Sequence, residues 1–199
     1  MPRASREQAH KNRTAIENAS ARLFREQGLN GVSVAQLMAA AGLTHGGFYG
    51  HFSSKDELAA VACAAAFGQS AERWAAQGNK YPDAHQTLQA IVSHYLRDPH
   101  RDQIGTGCPA VALAGDVIRE TPDKPVHHAY TAGIEQMASS LATLLEKCGS
   151  PKPRRTALTT LATMVGALVL ARATREAPIS EDILAAARDL LLDPGVPDN

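Results

Sequence analysis

Residues 32–55, VSVAQLMAAAGLTHGGFYGHFSSK, decide how this chain folds. Ser33 followed by Gln36 forms a capping-box pattern, and Val32 is placed to staple onto Leu37, so the spacing predicts a short helix over roughly 34–40. Ala41-Gly42-Leu43 interrupts it. Thr44 then stands as the cap of a third short helix, with Leu43 and Phe48 as its hydrophobic staple. Two short helices joined by a tight glycine turn, next to the aromatic cluster Phe48, Tyr49 and Phe52, make a helix-turn-helix pattern. In such a motif the second helix enters the major groove of DNA while the first crosses the backbone. On spacing alone, a helical hairpin with a purely structural job is the alternative.

Upstream, Ile16, Ala19, Leu23 and Phe24 follow the spacing of an amphipathic helix that ends near Gly28. Downstream, Ser54 with Glu57 makes a second capping box, and Leu58, Val61, Ala62 and Ala65 carry an apolar face towards Gly78. Further helical segments are expected at about 83–97, 108–120, 124–147, 153–175 and 180–192. Pro82, Pro99, Pro122, Gly149 with Pro151, and Pro178 separate them. No alternating strand pattern appears, and Asn30-Gly31 sits between two helical periodicities. The expected fold class is all-α.

Composition narrows the function classes. Of 199 residues, 44% are hydrophobic and 20% charged, an ordinary globular balance. The net charge is zero, yet before Glu26 six basic residues face only Glu7 and Glu17, so the start of the chain is basic. The basic six are Arg3, Arg6, Lys11, Arg13, Arg22 and Arg25. Three widely spaced cysteines fit a reducing cytoplasm better than a disulfide framework. The polar N-terminus lacks the apolar core of a signal peptide, and the apolar stretch 157–171, broken by Thr159, Thr160 and Thr163, reads as too short for a membrane span. No Gly-rich phosphate loop, Ser-His-Asp arrangement or HExxH motif points to an enzyme or a cofactor. His127 and His128 adjoin, but neighbouring helical positions point about 100° apart, so no metal site is expected.

Gly42-Leu43-Thr44, Phe48-Tyr49-x-His51-Phe52 and Ser54-Lys55-Asp56-Glu57-Leu58, in order within residues 10–58, resemble the signature of the TetR family of bacterial repressors. The resemblance implies a helix-turn-helix DNA-binding domain over 1–55 and a helical effector-binding and dimerisation domain over 56–192, while the end of the chain, DPGVPDN over 193–199, reads as a flexible tail. Carried over by position, Ser33 and Thr44 hold phosphates, Tyr49, His51 and Lys55 contact the backbone, and His45, Gly46 and Gly47 face the bases. Phe48 and Phe52 read as core. Gly46, Gly47 and Gly50 depart from a good helix, each costing about 1 kcal/mol relative to alanine, so groove shape is expected to contribute to recognition. The arm Arg3, Arg6, Lys11 and Arg13 reads equally as a set of DNA contacts or as a solvated tail. A repressor released from a palindromic operator by a small molecule is the implied function.

For the second domain, Phe67, Trp74, Tyr95, Val111, Tyr130, Met137 and Met164 are candidates to line an effector cavity, against the alternative of ordinary core packing. Gly107-Cys108-Pro109 places Cys108 at a helix N-cap, where a thiolate gains from the helix dipole. The segment resembles a subgroup of the family with Gly-Cys at this helix start. Cys108 is therefore an effector-site candidate or a redox or electrophile sensor, against the plainer reading of a small buried residue. The helix at 153–175 is apolar on every side, with Leu158, Leu161, Met164, Val165, Leu168, Val169 and Leu170, and so is expected to meet a partner subunit, paired with 124–147 or 180–192. Rival classes are an all-α enzyme using Cys108 with His127 or His128, and a protein-binding adaptor.

Overall fold

The computed structural model describes residues 6–192, and among them every regular element is helical. α1 (Arg6–Gln27), α2 (Val34–Ala40) and a 3-10 helix (His45–Gly50) precede α3 (Lys55–Gly78). Then come α4 (Ala84–Tyr95), α5 (Asp98–Asp102), α6 (Pro109–Arg119), α7 (Pro125–Lys147), α8 (Pro153–Ala173) and α9 (Ile179–Leu192). The tail 193–199 and Arg3 lie outside the described residues. One expectation needs correction at α5: Pro99 does not simply end the preceding helix but sits in the first turn of this five-residue helix, where its missing N–H costs no intrahelical bond.

The described residues form two compact units, 6–69 with 105–133 and 70–104 with 134–192, and α3 and α7 each contribute to both. In the first unit α1 packs on α2 and α6, and α2 on the 3-10 helix. Ile16 and Phe24 from α1, Leu37 and Met38 from α2, and Phe48, Phe52 and Leu58 fill its core. Side-chain acceptors on α6 fasten the end of α1. Leu29 N donates to Asp116 Oδ2 at 3.0 Å, and Asn30 Nδ2 to Glu120 Oε1 at 2.7 Å. Gly28 ends α1 in the left-handed region at φ 80°, and a side chain there would also meet Asp116 at 2.8 Å. At the start of α6 the side chain of Arg25, itself 4% exposed, donates to the carbonyls of Gly107 (3.0 Å) and Ala21 (2.8 Å) and to Gln69 Oε1 (2.8 Å).

A second close approach lies on α7, where the Phe67 ring is packed so tightly that a Cβ on Gly133 would stand 2.2 Å from it. Tyr130 blocks one way out, meeting Phe67 edge-on with ring centroids 5.6 Å apart. Gly133→Ala is therefore expected to destabilise the protein by about 2 kcal/mol, read as a lower urea midpoint, because the ring must leave its rotamer or α7 must shift. An unchanged midpoint would mean the space is softer than this packing implies.

In the second unit α8 packs on α9, α4 on α9 and α5 on α8. Arginines from the C-terminal helices satisfy carbonyls at the ends of α4 and α5, which would otherwise lack partners. Arg172 donates to the carbonyls of His100 and Arg101, each at 3.0 Å, and Arg188 to that of Leu96 at 3.0 Å. Arg101 reaches Ser180 Oγ at 3.0 Å, and that hydroxyl donates to the Ala171 carbonyl at 2.8 Å. Along α8, Ala157, Leu161, Met164, Leu168 and Ala171 face inward at helical spacing, while Leu158, Val169 and Leu170 stay exposed, as do Ile179 and Leu190 of α9. The stretch 157–171 understates this helix: over its 21 residues α8 is long and apolar enough to cross a membrane by length and composition. Its inward face is nonetheless packed on α5 and α9, as in the core helix of a globular unit.

Candidate nucleic-acid interface

α2 begins with the reciprocal cap its sequence predicts: Gln36 N donates to Ser33 Oγ at 3.3 Å, and Ser33 N to Gln36 Oε1 at 2.8 Å. It ends on Gly42 at φ 73°, with Leu43 N bonded to the Met38 carbonyl (2.9 Å) and Gly42 N to that of Ala39 (3.0 Å), a Schellman motif. The chain then turns into residues 45–50, whose winding is 3-10 and not the α-helix expected from the cap pattern. Three glycines in six residues remove the helix propensity that would favour the wider coil. Thr44 occupies the cap position but its hydroxyl makes no cap bond, because Gly47 N is taken by the Thr44 carbonyl at 3.1 Å.

Aromatic packing fixes this element on the unit. Phe48 and Phe52 are buried and stacked with centroids 6.0 Å apart, and Tyr49 meets Phe48 edge-on at 5.2 Å. Tyr49 is 74% exposed, so its hydroxyl is held outward by a ring anchored at one edge. Ser33, Thr44, His45, Gly46 and Gly47 are exposed, and His51 and Lys55 half-buried. The eight sequence-derived candidates thus lie on the α2 cap, the 3-10 helix and the start of α3.

Sequence reasoning missed how this region is clamped. Arg13 of α1 donates to the His51 carbonyl and to Glu17 at 3.0 Å, lies 4.2 Å over the Phe52 ring, and pairs with Glu57 at 3.8 Å. Within the proposed basic arm, then, Arg13 serves internal structure, and Lys11 pairs with Glu7 at 2.6 Å. At the start of α3, Ser54 caps as expected, but the reciprocal half of the box falls one residue earlier. Glu57 N donates to Ser54 Oγ at 3.1 Å, but the Glu57 carboxylate accepts from Ser53 N (2.7 Å) and Ser53 Oγ (2.6 Å). Those Ser53 bonds, with the Arg13 charge, hold the Glu57 carboxyl below its ordinary pKa. The signal for this was in the Ser53-Ser54 pair, either member of which can cap.

Of the candidate effector residues, Phe67, Cys108, Val111 and Tyr130 lie in the first unit and Trp74, Tyr95, Met137 and Met164 in the second. Phe67, Tyr95, Met137 and Met164 are buried, Val111 half-buried, and Tyr130 donates to the Ala110 carbonyl at 2.7 Å. Cys108 does stand at the α6 N-cap with Pro109 after it, but it is 2% exposed and its side chain makes no cap bond. Burial raises the Tyr130 phenol above its ordinary range, with Cys108 and Cys63 adding to the effect, and pushes the Cys63 thiol up to about 12. Trp74 borders a groove of about 390 Å³ with Ala71 and Ala75 of α3, Thr87 and Ile91 of α4, and Ser140, Leu141, Thr143, Leu144 and Lys147 of α7.

Beside Tyr95, His100 donates from Nδ1 to the Tyr95 carbonyl at 2.7 Å and meets the Tyr95 ring edge-on at 4.6 Å. Burial lowers its pKa to about 4, against the pull of that hydrogen bond and helped by the charges of Arg172, His94 and Arg73. A histidine kept neutral in the fold binds fewer protons than in the unfolded chain between pH 6.5 and 4, so stability falls as pH drops through that window. Wild type is expected to lose about 1–2 kcal/mol more than His100→Gln between pH 7 and pH 5 in urea titrations. Equal losses would remove His100 as the cause.

Residues 16–62 match the family described as bacterial regulatory proteins, tetR family. The HTH-type transcriptional regulator AcrR of Shigella flexneri is 36% identical over 58 residues, 29% of this chain and 27% of that protein, so the match spans about a quarter of the relative's length. Solved structures resemble nearly the whole chain. E. coli NemR in its reduced form has a TM-score of 0.78 at 21% identity, covering 94% of this chain and 100% of that one. A TetR-family transcriptional regulator from Cytophaga hutchinsonii also scores 0.78, at 23% identity over 99% and 100%. A TetR transcriptional regulator from Chloroflexus aurantiacus J-10-FL scores 0.75 at 26% identity over 94% of each chain. The segment that matches by sequence is the one that presents Thr44 to Lys55 on its aromatic anchor, so residues 16–62 carry the sequence of the tetR family of bacterial regulatory proteins, and the remainder resembles regulators of that family by fold.

Proposed function

We propose that this protein is a homodimeric transcriptional repressor, not an enzyme, that binds a palindromic operator in cytoplasmic DNA and is released by a small-molecule effector. The carrying observation is Tyr49, 74% exposed on a ring locked against Phe48, within the same short segment as exposed Thr44, His45, Gly46 and Gly47. A rigid element that offers a hydroxyl and small residues together suits close approach to a phosphate backbone and groove edge. Lys55 adds a charge at the start of α3, and Ser33 and His51 complete the set of backbone contacts.

Exposed apolar side chains on the C-terminal helices support the dimer. Leu158, Val169 and Leu170 of α8 and Leu190 of α9 remain exposed, although these two helices already pack on each other. A four-helix contact of α8 and α9 with their copies buries those side chains, and two-fold symmetry then matches two operator half-sites. In this reading residues 1–55 bind DNA and 56–192 bind effector and partner. Effector binding shifts α3 and so the spacing of the paired DNA-contacting elements, and by linkage DNA weakens effector binding by the same factor.

The thiol-sensor alternative through Cys108 has the helix N-cap and the likeness to reduced NemR in its favour, but its side chain is buried. Burial argues for a packing role. Capture of fragments from the organism's own genome by purified protein, with sedimentation of the protein alone, tests the main reading. Enrichment of palindromic fragments by a dimer supports it; a monomer that enriches none overturns it.

A further inference from the structure

We infer that the groove beside Trp74 is a site for a small amphipathic carboxylate, with an apolar body on the apolar lining and the carboxylate at Lys147. This inference rests on the effector reading above, because it names a ligand class for the helical domain. Its volume of about 390 Å³ falls in the range of small-molecule sites, roughly 300–1,000 Å³. Three helices build it. Its apolar lining is Trp74, Ile91, Leu141 and Leu144, with Ala71 and Ala75 of α3 contributing small side chains.

The polar lining residues are Thr87 of α4 and Ser140, Thr143 and Lys147 of α7. Thr87 donates to the Asp83 carbonyl at 3.0 Å, and Ser140 to that of Gln136 at 3.0 Å, so these hydroxyls are committed as donors. Thr143 and Lys147, one turn apart on α7, have no hydrogen bond or ion pair among the described residues. Lys147 is the single charged group lining the groove. A ligand with an apolar body and an anionic end satisfies every surface at once, whereas a cation or a strongly polar solute leaves the apolar lining unmatched. The occupant is thus a flexible or flat apolar acid.

Trp74 is the only tryptophan in the chain, so intrinsic fluorescence reports on this groove without a label. Full-length protein is titrated with octanoate and with 1-octanol, which share a chain and differ in charge. Octanoate is expected to change Trp74 emission saturably, and Lys147→Gln to weaken it about fivefold, the upper range for a partly exposed charge pair. Lys147→Arg should bind octanoate like wild type, 1-octanol should not distinguish Lys147→Gln from wild type, and only octanoate should weaken with added salt.

Equal octanoate affinity in wild type and Lys147→Gln overturns the proposal, and so does emission that responds to protein concentration but not to octanoate, which marks the groove as covered by a second copy. DNA capture is measured separately on the same preparations. Retained DNA binding with no octanoate response sinks this site alone, while loss of DNA binding sinks the regulator reading.

Discussion

Replacing Arg25 with methionine is expected to lower the stability of the protein by about 3 kcal/mol, seen as an earlier urea transition by circular dichroism. Its guanidinium is buried and spans three segments: its own helix at Ala21, the turn carbonyl of Gly107 ahead of α6, and Gln69 on α3. Methionine is of similar length and relieves the cost of burying a charge, which offsets part of the loss. It cannot donate, so the Gly107 carbonyl and the Gln69 amide oxygen lose these donors, at about 1–3 kcal/mol each where no water replaces them. Arg25→Lys keeps the charge but not the fork, and is expected to fall between the two. A loss below about 1 kcal/mol for Arg25→Met would show that water or repacking replaces the fork.

A double change, Tyr49→Ala with Lys55→Ala, is expected to cut operator affinity about 100-fold while leaving the urea transition in place, since four lost contacts per dimer at roughly 0.7 kcal/mol each amount to that factor. Neither side chain holds the core. Tyr49 is exposed beyond its edge contact with Phe48, and Lys55 forms no ion pair among the described residues. The two sites also separate by salt. Losing Lys55 removes one cation per subunit, so the slope of log affinity against log salt should become shallower by about 2 per dimer. Tyr49→Ala alone should leave the slope as it was. A double variant that binds like wild type would place the DNA contacts elsewhere on the protein.

Much of the helix-turn-helix was legible because local chemistry sets it. Ser33 and Gln36 cap each other through three residues of backbone, and Gly42 supplies a conformation that other residues resist, so both read directly from neighbours. Where competing local options existed, the reading slipped. Thr44 was expected to cap an α-helix, but the 3-10 winding gives Gly47 N to the Thr44 carbonyl, and Ser53, not Ser54, meets the Glu57 carboxylate.

Features that depend on distant partners were out of reach. Nothing in the periodicity of α1 says that Arg13 will grip residue 51 or that Arg25 will reach Gly107, because those partners are 38 and 82 residues away. The role of the large apolar candidates is ambiguous in sequence for the same reason. Large apolar residues such as Phe67 and Met164 fit a core as readily as a cavity, and half of the residues bordering the groove beside Trp74 are alanine, serine and threonine, which no apolar periodicity singles out.

Hydroxyl-radical footprinting of wild-type protein on its captured operator tests the central claim most directly. The account predicts two protected backbone patches related by a two-fold axis, centred one helical turn apart or a multiple of it, about 10–10.5 base pairs per turn, and both lost together in the Tyr49 and Lys55 double variant. A single asymmetric patch, or protection that survives the double change, would contradict it.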